Sequence, residues 1–143
     1  MPYRYLENIA IADIAFEAWG ETVEEMFIAA SDAVINTMVA DLCAIEARIS
    51  RRFQVEEGSI EALLFQMLQE LIYYKDAEQL LLRARSVRIT PRGDGWVALV
   101  ETAGEPIAPE RHELIVDVKA VTLYQFRVEH TAKGWRAAVV VDV

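Results

Sequence analysis

Ser59-Ile60-Glu61-Ala62-Leu63-Leu64-Phe65-Gln66-Met67-Leu68-Gln69-Glu70-Leu71-Ile72 is the stretch whose reading decides the fold. Its apolar positions Ile60, Leu63, Leu64, Met67, Leu68 and Leu71 recur at helical spacing and make one stripe, bordered by Ile72. Residues three and four apart share a helix face. Gly58-Ser59 opens this helix. The stripe is a core face rather than a ligand groove, because an amphipathic helix buries such a face against another layer.

On the N-terminal side, Thr22 caps an earlier helix and Glu25 completes its capping box. Met26, Phe27, Ala30, Val34 and Met38 then follow at helical spacing. Residues 3–18 read as one or two strands, and the polar/apolar alternation over 44–56 predicts another. On the C-terminal side the chain turns β-rich. Residues 85–90 and 95–102 flank Pro91-Arg92-Gly93-Asp94-Gly95, a hairpin turn signal. That cluster is not a phosphate loop, since it lacks the Gly-Lys-Ser/Thr ending and a following helix. Residues 104–110, with Pro106 and Pro109, read as an exposed loop. Strands are expected over 114–118, 121–130 and 134–143, the first two able to form one long bent strand, with Thr131-Ala132-Lys133-Gly134 as the last turn. Strands, two helices, then more strands predict an α+β fold. The expectation is a single domain over 1–143, its two helices packed on one face of a largely antiparallel β-sheet.

The composition narrows the function classes. Hydrophobic residues make up 54% and charged residues 26%, ordinary for a soluble domain. The net charge of −9 argues against a bulk electrostatic grip on nucleic acid or an anionic membrane, both of which need a basic face. No apolar run approaches the roughly 18 residues of a membrane span. The start, Met1-Pro2-Tyr3-Arg4-Tyr5, has no signal-peptide pattern, so the cytoplasm is the expected compartment. Cys43 is the only cysteine; it excludes an internal disulfide and reads as a small core side chain.

Two aspartates stand out. Asp13 lies inside Ile9-Ala10-Ile11-Ala12-Asp13-Ile14-Ala15-Phe16, and Asp142 closes Ala137-Ala138-Val139-Val140-Val141-Asp142-Val143. Both stretches read as buried strands. A lone carboxylate in apolar surroundings is costly, so it is paired, hydrogen-bonded or metal-bound. Lys119 lies in a third apolar run, Leu114-Ile115-Val116-Asp117-Val118-Lys119-Ala120-Val121. Two acids and a base in core-like strands suggest a small polar site for a hard cation or a phosphate-bearing partner. Each has a plainer reading: a turn aspartate bonded to backbone amides, a solvated chain end, a lysine reaching to solvent. A shared site would remove the desolvation problem of all three. His112, after the Pro-rich loop, reads from spacing as a solvated histidine, and so does His130. Neither has zinc-ligand spacing. Asp76 and Glu78, after the second helix, read as bonding backbone in that turn. No serine or cysteine nucleophile motif is present.

These same residues carry a resemblance. The chain resembles the archease family, small proteins that assist the tRNA-splicing RNA ligase of the RtcB type. Ala12-Asp13-Ile14 is similar to the core of the family's His-Thr-Ala-Asp-Ile-Gly motif. Gly20-Glu21-Thr22-Val23-Glu24-Glu25-Met26-Phe27 resembles its helix entry, and residues 63–73 its Leu-rich second helix, with Asp76 and Glu78 as the acidic pair that follows. His112 with Val118-Lys119-Ala120-Val121-Thr122 matches its most specific motif, and Val140-Val141-Asp142-Val143 its closing Asp-Val. The sequence departs from the pattern at Ala10, Ile11 and Ala15, at Met67 and Gln69, and at Leu123-Tyr124.

The resemblance implies a divalent cation (Ca, Mg or Mn) held by Asp13, Asp142 and the backbone near Val143, with Lys119 and His112 close by. It implies an accessory protein without independent catalysis, which promotes guanylylation and repeated turnover of an RNA ligase. Guanine nucleotide would be met only through the ligase, with no strong direct contact to nucleic acid and none to a membrane. Two rival readings use the same residues: a stand-alone metal-dependent nucleotide-binding or hydrolytic enzyme, and a general chaperone or interaction module.

Overall fold

A computed structural model of the chain describes residues 2–6 and 13–143. Its elements in order are β1 (Tyr3–Leu6), β2 (Asp13–Gly20), α1 (Val23–Met38), a short 3-10 helix (Leu42–Ala44), β3 (Ile49–Glu57), α2 (Ile60–Glu78), β4 (Leu80–Arg92), β5 (Gly95–Pro106), β6 (Ala120–Thr131) and β7 (Gly134–Asp142). The expected α+β fold is the fold found. The strands divide into two antiparallel sheets, ordered β1-β2-β7-β6 and β3-β5-β4.

Local chemistry explains the helices. The Thr22 hydroxyl accepts the Glu25 amide while the Glu25 carboxylate accepts the Thr22 amide, so the capping box forms as expected. Ser59 caps α2 by accepting the Ala62 amide, and Gln79 ends it in the left-handed region at φ 55°. Leu63, Leu64, Met67, Leu68 and Leu71 are buried, as the stripe requires. In the first sheet, Phe16 faces Val139 and Ala18 faces Ala137, all buried. Helix α1 packs on β2 and β7 of that sheet and on β4 of the other. Helix α2 packs on β3, β4 and β5 and also on β6. The core therefore lies where two helices join two sheets.

Several segments differ from the sequence reading. Residues 114–118 are not a strand; only Leu114 forms an isolated bridge, to Val39. Their backbone is engaged otherwise: the Ile115 amide donates to the Met38 carbonyl, and the Ala40 amide to the Glu113 carbonyl. Leu114, Ile115 and Val116 are exposed, so alternation there does not mark a core face. Residues 104–106 belong to β5 rather than to a loop. Gly104 is required at that point, because an added Cβ would sit 1.8 Å from the Leu81 carbonyl oxygen. The alternation over 44–56 becomes a strand only from Ile49. Cys43 is exposed rather than a core side chain, since it lies in the 3-10 turn where Asp41 accepts its amide. Residues 9–12 of the stretch around Asp13, including Ala10 and Ile11, lie outside the described residues.

Candidate functional site

Strand β2 begins at Asp13 and β7 ends at Asp142, and the register sets these two residues directly opposite each other. Directly opposed residues of an antiparallel pair project to the same face, with Cβ atoms about 4.5–5.5 Å apart. Ala120 flanks Asp142 from the other side, and the Lys119 amide donates to the Asp142 carbonyl at 2.8 Å. The end of β7 is thus held between β2 and the entry to β6. Asp13, Asp142 and Val143 are half-buried and Lys119 is exposed. The reading of these residues as core-embedded charges is corrected accordingly. Successive side chains alternate faces; Val141 faces the core, and the two acids stand on the opposite face at the sheet's end. Ala15 and Val140, two residues further along that face, line a groove of about 400 Å³ with Leu6, Gln125 and Phe126.

Among the described residues the donors at this end are oxygens: the two carboxylates and the nearby strand-end carbonyls. Oxygen donors suit Mg²⁺, Ca²⁺ or Mn²⁺ rather than softer metals. Among the described residues no three His, Cys, Asp or Glu side chains converge. The residues therefore fit a hard cation that keeps much of its water shell, and they do not fit a structural zinc.

His112 is engaged elsewhere. It is 1% exposed rather than solvated. Its Nδ1 accepts the Ala108 amide at 2.9 Å, which leaves Nε2 as the protonated nitrogen donating to Glu105 Oε2 at 2.9 Å. Glu105 is itself fully buried and also accepts from the Glu46 amide at 2.8 Å and from the Arg111 guanidinium. The Arg111 hydrogen bond, helped by the Glu46 amide and His112, outweighs burial and brings the Glu105 carboxyl down to about 2. These hydrogen bonds run to Glu105 and Ala108, not to Asp13, Asp142 or Lys119. His130, by contrast, stacks on Trp135 with ring centroids 4.1 Å apart.

One residue of this end escaped the sequence reading. Lys75 is 5% exposed, and its ammonium donates to Asp76, to Asp117 and to the Val118 carbonyl, the last at 2.8 Å. Burial pulls the ammonium pKa down, but Asp117 and Asp76 overcome it and the net shift is upward. Lys75 therefore ties α2 to the two residues that precede Lys119. The signal was present: Lys75 continues the series Leu64, Leu68, Leu71 on the apolar face of α2. Asp76 and Glu78 do not serve backbone as expected. Asp76 meets Lys75, and Glu78 accepts from Arg51 at 3.1 Å. Gln69 assists from the same helix by accepting the Val121 amide at 2.9 Å.

Fold and site together define a small two-helix α+β protein with paired acids at the end of one sheet. The chain belongs to the archease family: the sequence pattern of the Archease protein family matches residues 3–143. It is 36% identical to Protein archease of Methanosarcina mazei over 142 residues, covering 99% of this chain and 95% of that one. It is 31% identical to Protein archease of Methanopyrus kandleri over 143 residues, covering all of both. A solution structure of protein 1598 from Methanobacterium thermoautotrophicum superposes with a TM-score of 0.85 at 29% identity, over 99% of each chain. A crystal structure from Thermotoga maritima, described as an archease, possible chaperone, shares the fold with a TM-score of 0.61 at 18% identity, over 96% of this chain and 97% of that one.

Proposed function

We propose that this chain is an accessory protein of an RNA ligase of the RtcB type, promoting the ligase's guanylylation and repeated turnover through a divalent cation held at Asp13, Asp142 and the Val143 backbone. The observation that carries this reading is the placement of Asp13 opposite Asp142 at adjacent strand ends, within a chain of the archease family. A bound cation would supply charge neutralisation for phosphate oxygens. The residues' own part is orientation. Asp13 and Asp142 present oxygens on one face, while the Lys119 amide fixes the Asp142 carbonyl and Lys75 fixes the segment before Lys119. The open, half-buried setting suits docking against a partner better than enclosing a small substrate. That favours an accessory role over a stand-alone enzyme.

The test is multiple-turnover RNA ligation by the cognate ligase, with and without this chain. Added chain should raise turnover, and Asp142→Ala should abolish the gain. Turnover of nucleotide or cyclic-phosphate RNA by the chain alone would instead establish the enzyme reading. One observation favours a second role as an interaction module: Leu114, Ile115 and Val116 are exposed beside an apolar groove of about 220 Å³ lined by Met38, Leu81 and Ile107.

A further inference from the structure

The chain carries 14 lysines and arginines, and six of them, Arg51, Arg52, Arg83, Arg85, Arg88 and Arg92, lie on β3 and β4. Strand alternation sends Arg52, Arg88 and Arg92 to the solvent face of the three-stranded sheet. The register shift between Ala84 and Ser86 turns Arg85 outward as well. Arg52 pairs with Glu101 at 3.2 Å and Arg92 with Glu56 at 3.5 Å. Arg85 and Arg88 make no ion pair among the described residues. Two adjoining depressions, about 600 and 240 Å³, share Arg52 and Glu101; the larger adds Arg51 and Arg85, the smaller Arg88. Along β4, Arg88 and Arg92 are roughly 13 Å apart at about 3.3 Å per residue. Arg51 and Arg83 are instead paired to the helices, with Glu78 of α2 and Asp32 of α1. The four outward arginines against Glu56 and Glu101 leave a net charge of +2 on this sheet face of a protein whose net charge is −9.

We infer that this arginine face is a contact surface for the phosphate backbone of an RNA strand. Arginine's planar fork matches phosphate oxygens with paired hydrogen bonds. A protein partner would instead need an apolar or aromatic centre, and among the described residues this face offers only Leu99 as an exposed large apolar side chain. Among the described residues it also carries no exposed aromatic ring on which a base could stack, so the contact is electrostatic and independent of base sequence. The surface lies on the sheet that does not carry Asp13 and Asp142. It adds an RNA contact to the accessory role proposed above but does not depend on it.

The experiment is fluorescence anisotropy of a labelled single-stranded RNA with the purified chain and no ligase present. About four phosphate contacts give a log–log salt slope near −2.8, or roughly 50-fold weaker binding between 50 and 200 mM salt. Arg85→Gln/Arg88→Gln should halve that slope to about −1.4, while Lys133→Gln, in the β6–β7 turn of the other sheet, should leave it unchanged. Photocrosslinks from the RNA should map to β3 and β4, a readout on the wild-type chain that holds whatever the double variant's stability. The inference is overturned by absence of binding at 50 mM salt, by a slope unchanged in the double variant, or by crosslinks confined to the acid end. Equal binding of polyglutamate would assign the face to an acidic protein. Salt-sensitive self-association lost in the double variant would assign it to a second copy of this chain.

Discussion

At Asp142 the backbone and the side chain have separable duties. The carbonyl accepts the Lys119 amide, and any residue in β7 preserves that bond. The carboxylate is half-buried at a strand end, with no hydrogen bond from another side chain among the described residues. Asp142→Ala should therefore change stability by no more than about 0.5 kcal/mol, while removing the gain in ligation turnover and the heat of Mg²⁺ or Ca²⁺ binding in calorimetry. A melting temperature lower by about 10 °C would show a structural aspartate instead. Glu105 is the opposite kind of acid, buried and saturated by Arg111, Glu46 and His112. Its folded pKa is lowered from 4.5 to about 2, so the stability it contributes is complete above pH 4.5 and is lost as the pH falls through about 2. Glu105→Gln should lower stability at neutral pH and flatten the stability profile across that acid window. Denaturant titrations at pH 6, 4.5, 3 and 2 check this, and an unchanged acid slope would assign the acid sensitivity to other carboxylates.

Among the elements, the irregular segment between β5 and β6 depends most on single contacts. It has no ladder and is held by the Val39–Leu114 bridge, the His112–Glu105 bond and the Lys75 ammonium. Lys75→Met fills similar space but leaves the Val118 carbonyl and Asp117 without their donor. The expected loss is about 1–3 kcal/mol. Amides of residues 113–119 should exchange faster in the variant, with α1 and β7 unaffected. Uniformly faster exchange across the chain would sink the idea of a local clamp. This segment also shows where reading the sequence stops. Both helices were legible because caps and stripe are written locally, in Thr22, Glu25, Ser59 and residues 60–72. The hairpin at Gly93-Asp94 was legible because Gly93 takes φ 58°, which its turn chemistry announces. Residues 114–118 alternate as well as a true strand does, but alternation cannot say whether a neighbouring strand edge is free. The cost of a lone carboxylate in an apolar run suggested a site shared by Asp13 and Asp142, but their direct opposition is a matter of register between strands far apart in sequence, which no local pattern records. Cys43 was misread because burial averages for free cysteine say nothing about a capped 3-10 turn.

At the scale of the molecule, the net charge of −9 averages a paired-acid sheet end with an arginine-bearing sheet face. The two sheets that carry these surfaces are joined through the helices. Helix α1 spans β2 and β4, and α2 spans β4 and β6. Leu68 is fully buried on α2 within this shared core. Leu68→Ala should cost about 3 kcal/mol through lost transfer energy and the residual cavity. That corresponds to roughly 10 °C in melting temperature for a chain of this size. If the helices make the sheets one cooperative unit, the loss must reach both sheets together. The tryptophans allow this to be measured. Trp19 and Trp135 lie in β2 and β7 of the first sheet, and Trp96 lies in β5 of the second. Leu68→Ala chains that retain either Trp96 alone or Trp135 alone, with Phe at the other two positions, should show coincident fluorescence melts, each matching loss of the far-ultraviolet dichroism. Two separated transitions, with the Trp96 sheet melting first, would mean that α2 stabilises only the sheet it covers most and that the acid end can persist without the arginine face.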